Sequence, residues 1–361
     1  MSEKRKIRLT LSPEAERYVR RDAPVEVRAL AAAGALPLPP VELLTVLFVL
    51  CHDPEARVKD RARQSFERLP ETVLSAALSG PASPAVLSYC SQAFRDQPER
   101  LERIALNPAA DDATIAHLAS LPHKRVVEII SNNQERMLRC PEIVEALGQN
   151  PFTGRAVIDR ILGFLGLERH AHEVPDEESE ELLLDAPQPI DDEQARAVLA
   201  AVLGEDVSQF APELIEDGVR LDEDKTKSLH ALIQKMSVFD KVKLARVGNG
   251  EARSLLVRDR NKLVAAAAVR SPKVQPQEVV AFAKARNVSD EVLRIIACSR
   301  EWTRSYAVKL ALASNPKCPQ QWAMRFLSHL QEKDLRGIMK SKDVPAAIST
   351  QARRMLQRKG K

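Results

Sequence analysis

Apolar residues recur along this chain at helical spacing, in short bursts separated by polar corners. Leu229, Leu232, Ile233 and Met236 follow an i, i+3, i+4, i+7 stripe, and Ala197, Val198, Ala201 and Val202 form another. Ser12-Pro13, Asp53-Pro54 and Ser83-Pro84 each join an N-capping side chain to a proline suited to the first helical position. Further helix starts are expected at Pro24, Pro39 or Pro40, Glu71, Pro98, Asp112, His123, Pro141 and Gly154. These starts lie about 10 to 18 residues apart, which leaves room for two or three turns and a tight corner.

A second series is more regular. Helices are predicted to begin near Val238, Gly250, Lys262, Pro276, Asp290, Thr303, Pro319, Glu332 and Pro345, so that a helix pair takes about 26 residues. Ser237 and Asp240 resemble a capping box, and Gly248 is expected as the glycine that ends a helix. Ser271-Pro272-Lys273-Val274 and Asn315-Pro316-Lys317-Cys318 both follow an alanine-rich helix and precede a new start, while Asn107-Pro108 and Asn150-Pro151 mark similar corners upstream. The pattern predicts an all-α fold: two arrays of short stacked helices, an α-solenoid. Aromatic content of 4% suits thin helical layers filled by Leu, Val, Ile and Ala.

Glu173 to Glu193 interrupts the rhythm with ten acidic residues, three prolines and no Lys or Arg. Such a composition buries too little apolar surface to offset its ordering entropy, so an acidic, partly disordered linker is expected. Leu182, Leu183 and Leu184 within it read as one turn of a transient helix. The expected organisation is an N-terminal array over 1–167, the flexible linker over 168–193, an acidic helical lead-in over 194–236 and a basic C-terminal array over 237–361.

The period, the Asn-Pro corners and the small residues in the helices resemble the HEAT-like and leucine-rich-variant helical repeat families. Residues 236–356 also resemble an uncharacterised bacterial repeat family. The resemblance implies a right-handed superhelix that presents an extended surface to a macromolecule.

Charge separates the halves. The formal total of +4 divides into +1 over residues 1–167, −16 over 168–224 and +19 over 225–361. A separation of this size points to a charged partner or an internal contact. In stacked helix pairs alternate corners share an edge, which places Arg258, Arg260, Lys262, Lys284, Arg286, Lys317, Lys340 and Lys342 together as a candidate polyanion-binding edge. Arg270, Lys273, Arg300 and Lys333 fall on the opposite, less basic edge. Basic residues near helix C-termini also complement the helix dipole, worth about 0.3–1 kcal/mol each. Glu177, Glu178, Glu180 and Glu181 are the candidate internal acidic partner of the basic edge.

Little in the sequence points to catalysis. There is no Ser-His-Asp order, phosphate-loop lysine or zinc-protease motif, and Gly248-Asn249-Gly250 reads as a corner. His170 and His172, followed by Glu173 and Asp176, sit in the linker without a rigid ligand set. A HEAT-like DNA glycosylase, which needs only a basic groove and an acidic or aromatic side chain at a damaged base, is the one enzymatic alternative, with Trp302 and Trp322 as the rings to watch and helix packing as their ordinary role. Cys51, Cys90, Cys140, Cys298 and Cys318 are odd in number, widely spaced and set in apolar patterns, which predicts reduced core thiols. The charged N-terminus lacks a secretory core, and the longest apolar run, Leu43 to Cys51, is too short to span a bilayer. The expectation is a cytoplasmic, non-enzymatic scaffold or adaptor with a protein partner, no cofactor, no metal and no membrane insertion. Nucleic-acid binding by the basic edge, screened by the acidic linker, is the alternative.

Overall fold

Proline and short capping side chains start the helices where the pattern places them. A computed structural model of the protein describes residues 9–167, 192–204, 206–216 and 223–359. These residues are all-helical, with no strand among them. They divide into two compact units, 1–133 and 134–361.

The first unit comprises α1 (Pro13–Val19), α2 (Val25–Ala31), α3 (Pro40–Leu50), α4 (Ala56–Glu67), α5 (Glu71–Ser79), α6 (Pro84–Ala93), α7 (Pro98–Leu106), α8 (Asp112–Ser120) and α9 (Lys124–Ser131). Ser12 accepts from the Ala15 amide and Asp111 from the Thr114 amide, caps of the expected kind. Helix α3 is hydrophobic nearly all round and is correspondingly central: it packs against α1, α4 and α5 and buries Leu43, Leu44, Val46, Leu47 and Leu50. Phe66 stacks on Phe94 at 5.4 Å, and Tyr89 meets Phe66 edge-on at 5.2 Å. The expectation for Asp53 needs correction. Asp53 does not cap a helix beginning at Pro54, since α4 starts at Ala56; its carboxylate instead pairs with the buried Arg28 and accepts from the Glu55 amide at 2.9 Å.

The second unit comprises α10 (Gln134–Arg139), α11 (Pro141–Gln149), α12 (Arg155–Phe164), α13 (Glu193–Leu203), α14 (Glu223–Lys235), α15 (Val238–Val247), α16 (Gly250–Leu256), α17 (Lys262–Val269), α18 (Pro276–Lys284), α19 (Asp290–Cys298), α20 (Tyr306–Ser314), α21 (Gln320–Leu327), α22 (Glu332–Lys340) and α23 (Ala346–Lys359). The predicted starts at Val238, Gly250, Lys262, Pro276, Asp290 and Glu332 are the observed ones. The start expected at Thr303 is a 3₁₀ turn, Trp302–Arg304, ahead of α20.

Helix α17 is the axis of this unit. Every residue from Leu263 to Val269 is buried, and the helix packs on α11, α12, α15, α16 and α19. Its run of four alanines allows those neighbours to come close. At Gly148 in α11 the approach is complete: an added Cβ would lie 1.9 Å from Asn261 Oδ1, the atom that caps α17 by accepting from the Leu263 amide. Helices α11 and α12 thus pack with α15 and α17, which is why the compact unit begins at Gln134, whereas the change in composition suggested a first array running to residue 167.

Two features organise the corners. Gly248 does end α15, but its φ of −66° is one that any residue can adopt, so left-handed backbone is not the reason for glycine. Crowding is the reason, because a Cβ would lie 2.5 Å from the Leu244 carbonyl oxygen. Buried asparagines are the second feature. Asn107 donates to the carbonyls of Leu78 and Gly80, Asn315 to those of Ala283 (2.8 Å) and Ala285 (2.9 Å), and Asn249 to those of Glu213 and Glu216. Each amide satisfies carbonyls at the end of a segment some 30 residues earlier, while its own oxygen accepts from a backbone amide two or three residues on. One side chain thereby fixes the spacing between successive layers.

Candidate anion-binding site

One face of α21 gathers unlike chemistry. Trp322, Arg325, Phe326 and, just past the helix, His329 stand at i, i+3, i+4 and i+7, so they share a side. Phe326 is buried and stacks on the half-buried indole of Trp322 at 6.4 Å; the Arg325 guanidinium lies over the indole at 5.5 Å. This face borders a pocket of about 180 Å³. Its other walls are Ala297 and Cys298 at the end of α19, Arg300 and Thr303 around the 3₁₀ turn, and Lys309 of α20.

No acidic side chain lines this pocket among the described residues. Arg300, Lys309 and Arg325 also form no ion pair with a described carboxylate, so three cationic side chains converge without a counter-charge. The Trp322 indole nitrogen is buried and has no acceptor among the described residues. An anion with oxygen acceptors is the complement of such a surface: Arg300 and Arg325 are exposed and Lys309 half-buried, and an anion among them would offset their mutual repulsion.

Many other cations of this unit are consumed internally. Arg270 meets Asp159 at 2.6 Å, and Arg294 pairs with Glu291 in its own helix. Burial opposes the Arg294 charge, but the Glu291 hydrogen bonds and the Asp159 carboxylate outweigh it and hold the guanidinium more firmly protonated than a free arginine. Lys241 contacts Asp259 at 3.0 Å, and Arg253 binds Glu278 through two bonds of 2.9 and 2.8 Å. The Lys241, Arg253 and Arg294 pairs lie within residues 225–361 and are already balanced in its net +19, so among these partners only Asp159 is a carboxylate from outside the segment.

The proposed basic edge is distributed as follows. Arg258, Arg260, Lys284, Arg286, Lys317, Lys340 and Lys342 are exposed, and Lys262 is half-buried. Lys317 Nζ donates to the Val288 carbonyl at 3.1 Å, and Arg286 donates to Asp343 at 2.8 Å; these bonds join the corners near 286, 317 and 343. Arg286 is thus locally neutralised. No hydrogen bond or ion pair joins the side chain of Arg258 or Arg260 to the other three corners among the described residues. Glu177, Glu178, Glu180 and Glu181, with His170, His172 and Leu182 to Leu184, lie outside the described residues. Trp302 is buried in the turn beside α20, whereas Trp322 is the ring that borders a pocket.

Among the described residues no group of three or more His, Cys, Asp or Glu is placed to hold a metal ion, and no helix is long and apolar enough to cross a membrane. Compared with known proteins, the chain matches no family model, no curated protein and no solved structure.

Proposed function

We propose that the chain is a non-catalytic helical-repeat scaffold, of HEAT-like or leucine-rich-variant character, that binds an acidic region of another protein through its second unit. The observation that carries this reading is the convergence of Arg300, Lys309 and Arg325, without carboxylate partners, on an aromatic-walled pocket. A localised cationic pocket suits a discrete anionic group on a shaped partner. A protein that tracks a nucleic-acid backbone needs a continuous run of available cations, and here Arg286 is paired with Asp343.

The test is affinity capture with the full chain in parallel untreated and nuclease-treated extracts at about 0.15 M salt, alongside an Arg300→Glu/Lys309→Glu variant. The scaffold reading expects a protein captured by the original chain and lost with the variant. Capture of nucleic acid alone, or a partner indifferent to the variant, would overturn it.

The second reading, nucleic-acid binding, is supported by the clustering of the corners that carry Arg286, Lys317 and Lys342. On that reading the logarithm of duplex affinity falls linearly with the logarithm of salt, and Arg258→Glu with Lys317→Glu reduces the slope. No duplex binding at low salt would dismiss it.

A further inference from the structure

Resting on the protein-binding reading, we infer that the Trp322 pocket recognises a phosphate monoester carried on a side chain of the partner. The side chains of Arg300, Lys309, Arg325 and His329 border one small volume, beside Thr303, whose hydroxyl already donates to the Ser299 carbonyl at 2.7 Å. A carboxylate has two oxygens and a single charge. A phosphate monoester has three acceptor oxygens and a charge near −2 at neutral pH, which is the better match to three cations that lack a counter-charge. Arginine is also the side chain suited to bidentate phosphate contacts, and the Trp322 indole holds Arg325 in place from beneath.

Size and connectivity separate this ligand from a nucleic acid. About 180 Å³ is well below the roughly 300–1,000 Å³ of sites that enclose whole small molecules, so the pocket suits the end of one side chain. A phosphodiester is flanked by chain on both sides and carries one charge. A monoester at the tip of a side chain enters end-on.

The experiment uses the full chain with Trp302→Phe, which leaves Trp322 as the sole tryptophan reporter. Phenyl phosphate is titrated against Trp322 emission and, independently, by calorimetry. Phenylacetate, inorganic phosphate and a single-stranded oligonucleotide without terminal phosphate serve as comparison probes. Phenyl phosphate should bind saturably and about tenfold tighter than either phenylacetate or inorganic phosphate. Lys309→Ala and Arg325→Ala should each weaken it about tenfold; Lys309 keeps the test independent of the indole contact that Arg325 makes. Absence of saturable binding, parity with phenylacetate or inorganic phosphate, displacement by the oligonucleotide, or indifference to Lys309→Ala would each overturn the assignment. If phenyl phosphate fails while protein capture still depends on Arg300 and Lys309, the phosphate assignment falls and the scaffold reading stands.

Discussion

Replacing Asn315 tests how successive layers are held at their spacing. Asn315→Ala removes the two donors that satisfy the Ala283 and Ala285 carbonyls and the acceptor that receives the Lys317 amide at 3.0 Å. The first two bonds lie in a buried corner, where each unsatisfied group costs about 1–3 kcal/mol. The third is nearer the surface, where water can replace it. The expected loss is therefore about 2–5 kcal/mol. Asn315→Asp should be worse despite its closer shape, because it sets carboxylate oxygen where the amide nitrogen stood, 2.8 and 2.9 Å from two carbonyl oxygens. Both tryptophans lie in the second unit, so their emission in urea follows its unfolding. With a slope of about 3 kcal/mol per molar urea, the alanine variant should lower the midpoint by about 1 M, and the aspartate variant by more. A shift under about 0.3 M for alanine, or an aspartate variant as stable as the original chain, would refute the reasoning.

Further predictions concern other parts of the chain. Gly148→Ala should destabilise the second unit by about 2–4 kcal/mol, combining overpacking with loss of the Asn261 cap; a urea midpoint unchanged from the original would contradict the close approach of α11 to α17. Burial pushes the Cys90 and Cys318 thiols up to about 12. Because unfolded cysteine ionises at about pH 8.5, the stability linked to these groups is complete below that value and is lost as pH rises toward 12. Stability should therefore fall across this alkaline window, and less steeply in a Cys90→Ala/Cys318→Ala chain; parallel profiles would exclude these thiols as the cause. In the native chain at neutral pH the half-buried Cys140 should alkylate before Cys51, Cys90 and Cys318, as peptide mapping would show. Deleting Glu173 to Glu193 should raise affinity for a polyanion such as polyglutamate if that segment screens the basic surface, and unchanged affinity would make it a spacer.

Helix starts were legible because their signals are local. Pro40, Pro84, Pro98, Pro141 and Pro276 each open a helix, and Ser237 accepts from the Asp240 amide as its spacing suggests. Helix α10 left no such mark: it has six residues, too few for an apolar stripe to stand out beside Asn132 and Asn133. The division after Asn133 was not legible either, since periodicity identifies the apolar face of α11 and α12 but not the helices that cover it. The Asn-Pro corners were visible, whereas the bonds from Asn107 and Asn315 to carbonyls about 30 residues away depend on the layer spacing.

The pocket was legible in part. Trp322 stood out as one of two tryptophans, and the 322, 325, 326, 329 spacing announces one helix face. Arg300 and Lys309 arrive from other elements, and the alternation of corners had assigned Arg300 to the less basic edge. Net charge did not show which cations are available: Lys241, Lys243, Arg253, Arg270 and Arg294 are buried, and Lys241, Arg253 and Arg294 lie against carboxylates that the net total already subtracts.

The most direct test of the central claim is competition on the captured complex. With the partner held on the immobilised full chain, phenyl phosphate is added at rising concentration, with phenylacetate at matched ionic strength as the comparison. The partner should be released by phenyl phosphate at concentrations where phenylacetate leaves it bound. A partner retained at saturating phenyl phosphate, or released equally by both, would contradict recognition through the Trp322 pocket.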